Sequence, residues 1–157
     1  MPWVRFDFAT LDLESDVEAL DFRLQGGQGP LAVEINPTFY EESNPDDNLD
    51  IYRFWALWRV PMSNNLEVDL GAGGIHMEGN ETNLGTSFTV PVLYQPYDWL
   101  VLEARGIWSQ INDSDLSEYE AGVLLNWESI AIKAGYRWTC GPNTSLDGPF
   151  FGMSIRL

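Results

Sequence analysis

Few side chains in this sequence could act as a nucleophile, a general base or a metal ligand. The chain of 157 residues has one histidine, His76, and one cysteine, Cys140. A single histidine cannot build a multi-histidine metal site, and a single cysteine cannot form an internal disulfide or a zinc cluster. We therefore predict a non-enzymatic protein with no catalytic residue, no metal and no cofactor.

Carboxylates are the abundant reactive group. There are 24 Asp and Glu residues against eight Lys and Arg, which gives a formal net charge of −16. This balance excludes nucleic-acid binding, because phosphates must be neutralised by basic side chains. Many of the acids fall in predicted loops at one end of the fold, and we call the following group the acidic rim: Glu41, Glu42, Asp46, Asp47, Asp113 and Asp115.

The acidic rim has more than one interpretation. Oxygen ligands of this kind suit divalent cations, and a negative surface also suits a basic partner. No segment has the spacing of a calcium-binding EF-hand loop. Solvated carboxylates are the simplest interpretation, and divalent cations or a basic partner are the alternatives.

The elements that position these residues are predicted to be β-strands throughout. Apolar and polar residues alternate with a period of two along almost every segment, and helical spacing is almost absent. We predict a single all-β unit over residues 1–157 with about ten strands. Their approximate bounds are 3–12, 17–25, 30–41, 50–61, 66–78, 84–95, 99–111, 118–127, 129–139 and 148–157.

All eight basic residues fall on the polar face of these strands, opposite an apolar stripe. Eight acids share the same face, so its charges balance. One of the basic residues is Arg156. Five of the acids are Asp7, Asp21, Glu34, Glu67 and Asp69. The remaining members of this face form a predicted lumen ion-pair network: Arg5, Arg23, Arg53, Arg59, Glu103, Arg105, Glu118, Glu120, Lys133 and Arg137.

Two barrels satisfy this pattern: a soluble one with the apolar face inside, and a transmembrane one with that face toward lipid. Three features favour a closed antiparallel up-and-down transmembrane β-barrel. Aromatic residues, such as Trp58, Trp127, Trp108 and Trp138, lie near both ends of the apolar stripe. The strand interiors have the length of a tilted membrane-crossing strand. Short turns at one end alternate with longer acidic loops at the other.

The last strand carries a short motif, Phe150-Phe151-Gly152-Met153-Ser154-Ile155-Arg156-Leu157. Phe151, Met153, Ile155 and Leu157 are hydrophobic at alternate positions after the strand begins. The motif resembles the C-terminal signal of bacterial outer-membrane β-barrel proteins, with Leu157 where an aromatic residue is commoner and Phe150 where a polar one is expected. The resemblance implies location in the bacterial outer membrane after removal of a signal peptide, insertion by the barrel-assembly machinery, and contact with outer-membrane lipid.

Function stays open between several classes at this point. We predict that the protein has a structural role or interacts with partners at the cell surface, or that it forms a narrow pore through the charged lumen. Outer-membrane proteases of the omptin class are similar in strand count and in rim acids, but this chain has no histidine near Asp113. Lipid A deacylases pair a histidine with a serine two residues away, whereas His76 has Glu78 there. A soluble, lipocalin-like binder of an apolar ligand is the last alternative.

Overall fold

Ten antiparallel strands account for most of the chain. A computed structural model describes residues 2–14, 16–43, 46–142 and 145–157. The strands are β1 (Trp3–Leu13), β2 (Val17–Gln28), β3 (Leu31–Ser43), β4 (Asp46–Ser63), β5 (Leu66–Glu78), β6 (Thr82–Tyr97), β7 (Leu100–Ile111), β8 (Ser114–Trp127), β9 (Ile130–Cys140) and β10 (Gly148–Arg156). No helix in the described ranges is long and apolar enough to cross a membrane.

Each strand pairs with its neighbour in sequence, and β1 pairs with β10 to close the barrel. At this seam the register joins Arg5 to Arg156 and Leu11 to Phe150. Backbone hydrogen bonds between Val4 and Leu157 extend the seam to the last residue. Closure leaves no sheet edge to expose unpaired backbone groups, which a membrane requires. The predicted up-and-down barrel of ten strands is confirmed.

The connections define two ends of the barrel. Four two-residue turns and both termini lie at what we call the inner end. The outer end carries the five connections that join β1–β2, β3–β4, β5–β6, β7–β8 and β9–β10. At one of these, Asn112 and Asp113 both have positive φ, as a tight two-residue hairpin turn requires.

The outer connections are shorter than the predicted acidic loops, although none is shorter than an inner turn. β3 extends to Ser43 and β4 begins at Asp46, so the rim acids of this hairpin belong to strands. Asp115 likewise lies in β8. The reason is that antiparallel ladders continue into water wherever register allows, since backbone pairing does not require apolar side chains. Only the connection after β9 is longer than three residues.

Side chains alternate between the lumen and the outer wall along most of each strand. In β7, Glu103 and Arg105 are at most 5% exposed, whereas Leu102 and Trp108 are each 40% exposed. In β9, Lys133 is buried and the neighbouring Ile132 is half exposed. The charged face therefore points inward and the apolar face outward. This arrangement overturns the soluble lipocalin-like alternative, because that fold needs an apolar interior.

Small residues let the bulky lumen side chains fit. In β5, a Cβ atom at Gly71 would lie 2.5 Å from side-chain atoms of both Leu57 and Thr89. Both of those residues are buried in the lumen. Glycine at this position therefore leaves room for side chains on the two adjoining strands.

Candidate functional site: the lumen

Twelve ionisable side chains fill the middle of the barrel, and we call them the central charged layer. Six are basic and six are acidic, and each is at most 5% exposed. They are Arg5, Asp7, Asp21, Arg23, Glu34, Arg53, Glu103, Arg105, Glu118, Glu120, Lys133 and Arg137. Buried charges are tolerated only when they are paired and hydrogen-bonded, so the pairing decides whether this layer is structural.

Glu103 is the centre of the part of the layer nearest the inner end. Its carboxylate accepts hydrogen bonds from Arg5 at 2.7 Å, from Arg23 at 2.9 Å and from Lys133 at 2.9 Å. Asp7 accepts two further bonds from Arg5, at 2.8 and 2.7 Å, in a bidentate pair. Side chains from β1, β2 and β9 thus meet at one carboxylate of β7. Such charge-assisted, bidentate bonds are the strongest that side chains form.

Glu120 continues the network toward the outer end. It lies 3.0 Å from Arg23 and 2.5 Å from Arg137. Arg137 is also 3.2 Å from Asp21, which accepts hydrogen bonds from Thr38 at 2.6 Å and from the amide of Asn36 at 3.1 Å. Neutral polar side chains therefore share the Asp21 Oδ1 atom with Arg137.

Two more pairs complete the layer. Arg105 lies 2.5 Å from Glu34 and also packs over the ring of Trp55. Arg53 lies 2.5 Å from Glu118, and both side chains are 1% exposed. Every member of the layer is within 4.0 Å of an opposite charge, and the layer as a whole is neutral.

Arg59 is the one residue of the predicted lumen network that lies apart from this layer. It is near the inner end, 2.9 Å from Glu67 and stacked over Trp3. Asp69 is fully buried beside it, with its carboxylate 3.7 Å from the Arg59 Nε atom. The structure therefore brings nine of the ten predicted residues together and places the tenth in a separate, smaller cluster.

Apolar side chains close the lumen on the outer side of the charges. We call this group the outer apolar layer: Ala9, Leu11, Leu13, Val17, Ala19, Tyr40, Ile51, Ile75 and Phe150. Half-buried residues from other strands, Leu49, Met77 and Ile111 among them, pack against it. A second apolar cluster around Trp55 and Leu57 lies beside the charges.

A third cluster, formed by Val101, Leu124 and Ala131, lies toward the inner end. Apolar side chains therefore cover the charged layer on its outer side, whereas on its inner side the apolar cluster of β7, β8 and β9 lies beside the separate charged cluster of Arg59, Glu67 and Asp69.

The acidic rim is spread around the outer end rather than gathered at one point. Glu41 is exposed and Glu42 half-buried on β3, and Asp113 and Asp115 are exposed on the far side of the barrel, around the start of β8. The side chains of Asp46 and Asp47 lie outside those that the structure describes. Among the described residues, no group of three or more His, Cys, Asp or Glu side chains is arranged to hold a metal ion.

His76 lies on the lipid-facing wall, not in the lumen. Its ring packs edge-on against Tyr52, with 6.0 Å between ring centroids, and its Nε2 atom is 3.8 Å from Glu78. Cys140 is exposed at the end of β9. His76 thus forms part of the aromatic girdle near the outer end, together with Tyr52 and Phe39.

Buried charges inside, an apolar wall outside and closure by ten strands define a transmembrane β-barrel of the bacterial outer-membrane class. Solved structures of such proteins share the fold. Ail of Yersinia pestis is 11% identical with a TM-score of 0.58, over 99% of this chain and 98% of that chain. The KdgM porin solved with disordered oligogalacturonate is 9% identical with a TM-score of 0.59, over 96% and 98%.

A structure reported for the de novo design of transmembrane β-barrels is also similar. It is 11% identical with a TM-score of 0.51, over 99% of this chain and 95% of the designed one. No family model and no curated protein matches the sequence. The similarity therefore establishes the fold, and the predicted outer-membrane location agrees with it.

The outer apolar layer was missed at the level of sequence, although its signal was present. Leu11 and Leu13 have the same strand parity as Arg5 and Asp7, so period two assigns all four to the lumen. Where apolar residues replace charged ones on the lumen-facing side of a strand, the lumen changes from the charged layer to the apolar layer. Phe150, which departs from the C-terminal motif, is explained in the same way, since it packs into this layer.

Proposed function

We propose that this protein is a closed, non-conducting outer-membrane barrel whose lumen is structural and whose outer end carries its interactions. The observation that supports this proposal most strongly is the occupancy of the lumen. The central charged layer is neutral, paired and almost wholly excluded from solvent, and the outer apolar layer covers it on its outer side. An ion entering the lumen would have to break charge-assisted bonds that have no replacement partners.

The pairing geometry explains why a narrow pore is the weaker alternative. A conducting pore needs polar side chains that contact water and release an ion easily. Here Glu103 already has three basic partners, and Arg23 spans two carboxylates at 2.9 and 3.0 Å. Side chains held in this way cannot follow an ion along the barrel axis without a large loss of hydrogen bonding.

Single-channel recording in planar lipid bilayers tests the proposal. We expect the refolded protein to give no current steps above those of the lipid alone, while a general porin inserted by the same procedure gives clear steps. The variants Ile75→Ala and Arg23→Gln should each remain non-conducting. Each substitution weakens one barrier to ions, the outer apolar layer or the central charged layer, and leaves the other in place. Current steps in the unmodified protein whose ion selectivity changes in Arg23→Gln would contradict a structural lumen.

We also propose that the last strand acts as the C-terminal assembly signal. Phe151, Met153 and Leu157 all project from the outer wall, where an assembly factor can contact them. Phe151→Asp should lower the amount of heat-modifiable, folded protein in outer membranes of living cells. Phe150→Leu, in the lumen of the same strand, is the matched control and should assemble normally. Equal assembly of both variants would contradict this role.

A further inference from the structure

Near the outer end, the wall at the barrel seam carries small outward side chains among aromatic ones. The ring contacts of Phe39 run on to Tyr52 at 5.9 Å and to Phe22 on β2 at 6.0 Å. On β1 the outward residue Thr10 is the direct partner of Phe151 on β10, and Pro149 is the next outward residue of β10 toward the outer end. The small side chains of Thr10 and Pro149 leave a depression beside Leu20 and Phe151.

The depression is a groove of about 680 Å³. Its apolar surface includes Leu20, Phe39 and Phe151, all on the lipid-facing side of the barrel. Thr10 lies between them, and its hydroxyl donates to the backbone carbonyl of Phe151 at 3.3 Å. Thr10 therefore directs no free donor outward, and the lower part of the groove suits an alkyl chain.

Three carboxylates line the outer edge of the same groove. Asp12 is the direct cross-strand partner of Glu18, and Glu18 is the direct partner of Glu41. All three are exposed. Directly opposed residues on adjacent antiparallel strands have Cβ atoms roughly 4.5–5.5 Å apart, and like charges in such positions repel each other.

No basic side chain of the protein relieves this repulsion. All eight basic residues lie in the described part of the chain, and six of them belong to the central charged layer. The other two, Arg59 and Arg156, are at the inner end of the barrel. The three carboxylates therefore face outward with an uncompensated charge, directly above an apolar groove.

We propose that this groove binds an amphiphile that combines an alkyl chain with a positively charged amine head. The chain would pack against Leu20, Phe39 and Phe151, and the ammonium group would lie among Asp12, Glu18 and Glu41. The apolar floor and the negative edge complement the two halves of such a molecule, and the ammonium group would replace like-charge repulsion with attraction. The proposal concerns the outer wall, so it does not depend on whether the lumen conducts.

Nuclear magnetic resonance with a nitroxide-labelled decylamine, added to the protein in uncharged maltoside micelles, tests the proposal. We expect selective broadening of the Leu20 methyl signals compared with Leu84 and Leu70, which face lipid elsewhere on the wall. The nitroxide-labelled decanol of the same length should broaden all three alike, because it lacks the charge. A short labelled amine without the chain should broaden none selectively.

Two variants separate the halves of the site. Glu18→Gln with Glu41→Gln should abolish the selective broadening, while Asp113→Asn with Asp115→Asn removes the same charge elsewhere on the rim and should preserve it. Thr10→Phe extends the aromatic girdle into the groove and should also abolish it while leaving the carboxylates in place. Selective broadening that survives both groove variants, or equal broadening by amine and alcohol, would overturn the proposal.

Discussion

The central charged layer and the outer apolar layer occupy the same lumen but are stabilised by different physical interactions. The charged layer depends on geometry, since each carboxylate needs its basic partners within about 3 Å and cannot lose one without leaving a buried charge. The outer apolar layer depends on volume, since its members interact by burial and dispersion and tolerate replacement by similar shapes. The difference implies that loss of a single partner is costly in the charged layer, whereas the apolar layer adapts to a change of shape and mainly excludes water.

The largest effect is expected from Glu103→Ala. This change leaves Arg5, Arg23 and Lys133 without their shared carboxylate, and removing one partner of a buried ion pair typically costs about 3–5 kcal/mol. The free energy of unfolding, measured by urea titration in lipid vesicles, should fall by that amount. Glu81→Ala, an exposed acid at the outer end, is the control and should leave the urea midpoint unchanged. A small effect of Glu103→Ala would show that the charged layer relaxes as freely as an apolar one.

Truncation in the outer apolar layer is expected to cost less. Ile75 is 1% exposed, and Ile→Ala changes in packed interiors typically cost about 2–5 kcal/mol, depending on how far the cavity collapses. We expect Ile75→Ala to fall in the lower half of that range, because half-buried Met77 and Leu49 can move into the space. The same urea titration measures this loss in the free energy of unfolding. Ile75→Val is the matched control and should lose less. A loss as large as that of Glu103→Ala would remove the distinction between the two layers.

The pair Arg53 and Glu118 tests whether the charged layer depends on pairing rather than on charge itself. Glu118→Leu leaves the Arg53 guanidinium without its carboxylate, whereas Arg53→Met with Glu118→Leu removes both charges. We expect the double variant to be more stable than Glu118→Leu, with a coupling energy of about 1–3 kcal/mol. Double-mutant-cycle analysis of the urea midpoints gives this value. A double variant less stable than both single variants would contradict it.

The smallest effect is expected at the acidic rim, where charges are exposed. Repulsion among rim carboxylates is screened by salt, because the Debye length falls from about 30 Å at 0.01 M to about 8 Å at 0.15 M. The urea midpoint should therefore rise slightly with sodium chloride, and Asp113→Asn with Asp115→Asn should reduce that rise. Buried pairs are screened much less, so a midpoint that falls with salt would show that water reaches the charged layer.

Much of the fold could be predicted because β-structure is encoded locally. The alternation of Glu103 and Arg105 with Leu102 and Ala104 is visible without knowing any partner strand. The outer connections were less predictable, since Asp46, Asp47 and Asp115 have turn-like side chains but continue strand ladders. Backbone pairing with the neighbouring strand overrode the local preference there.

The candidate site was predictable only as a set of residues. The alternation of side chains along each strand assigned Arg5, Arg23, Glu103 and Lys133 to one face. It contained no information on which of these residues contact each other. Their contacts span up to 98 residues of sequence, as between Arg5 and Glu103. Such pairs depend on the tilt and stagger of the closed barrel, which no local pattern records.

The sequence by itself determined an all-β unit of about ten strands with a charged face opposite an apolar one, because both follow from a period of two and from composition. A period of two separates two faces but does not say which of them points inward, and burial in the closed barrel decided that. Tertiary structure alone decided how the lumen is filled. Closure of the sheet brings six acids and six bases into one layer of matched pairs, and it places apolar residues from distant strands on the outer side of that layer. It also brings Asp12, Glu18 and Glu41 into register beside the groove at the seam, because register is a property of paired strands and not of any one of them.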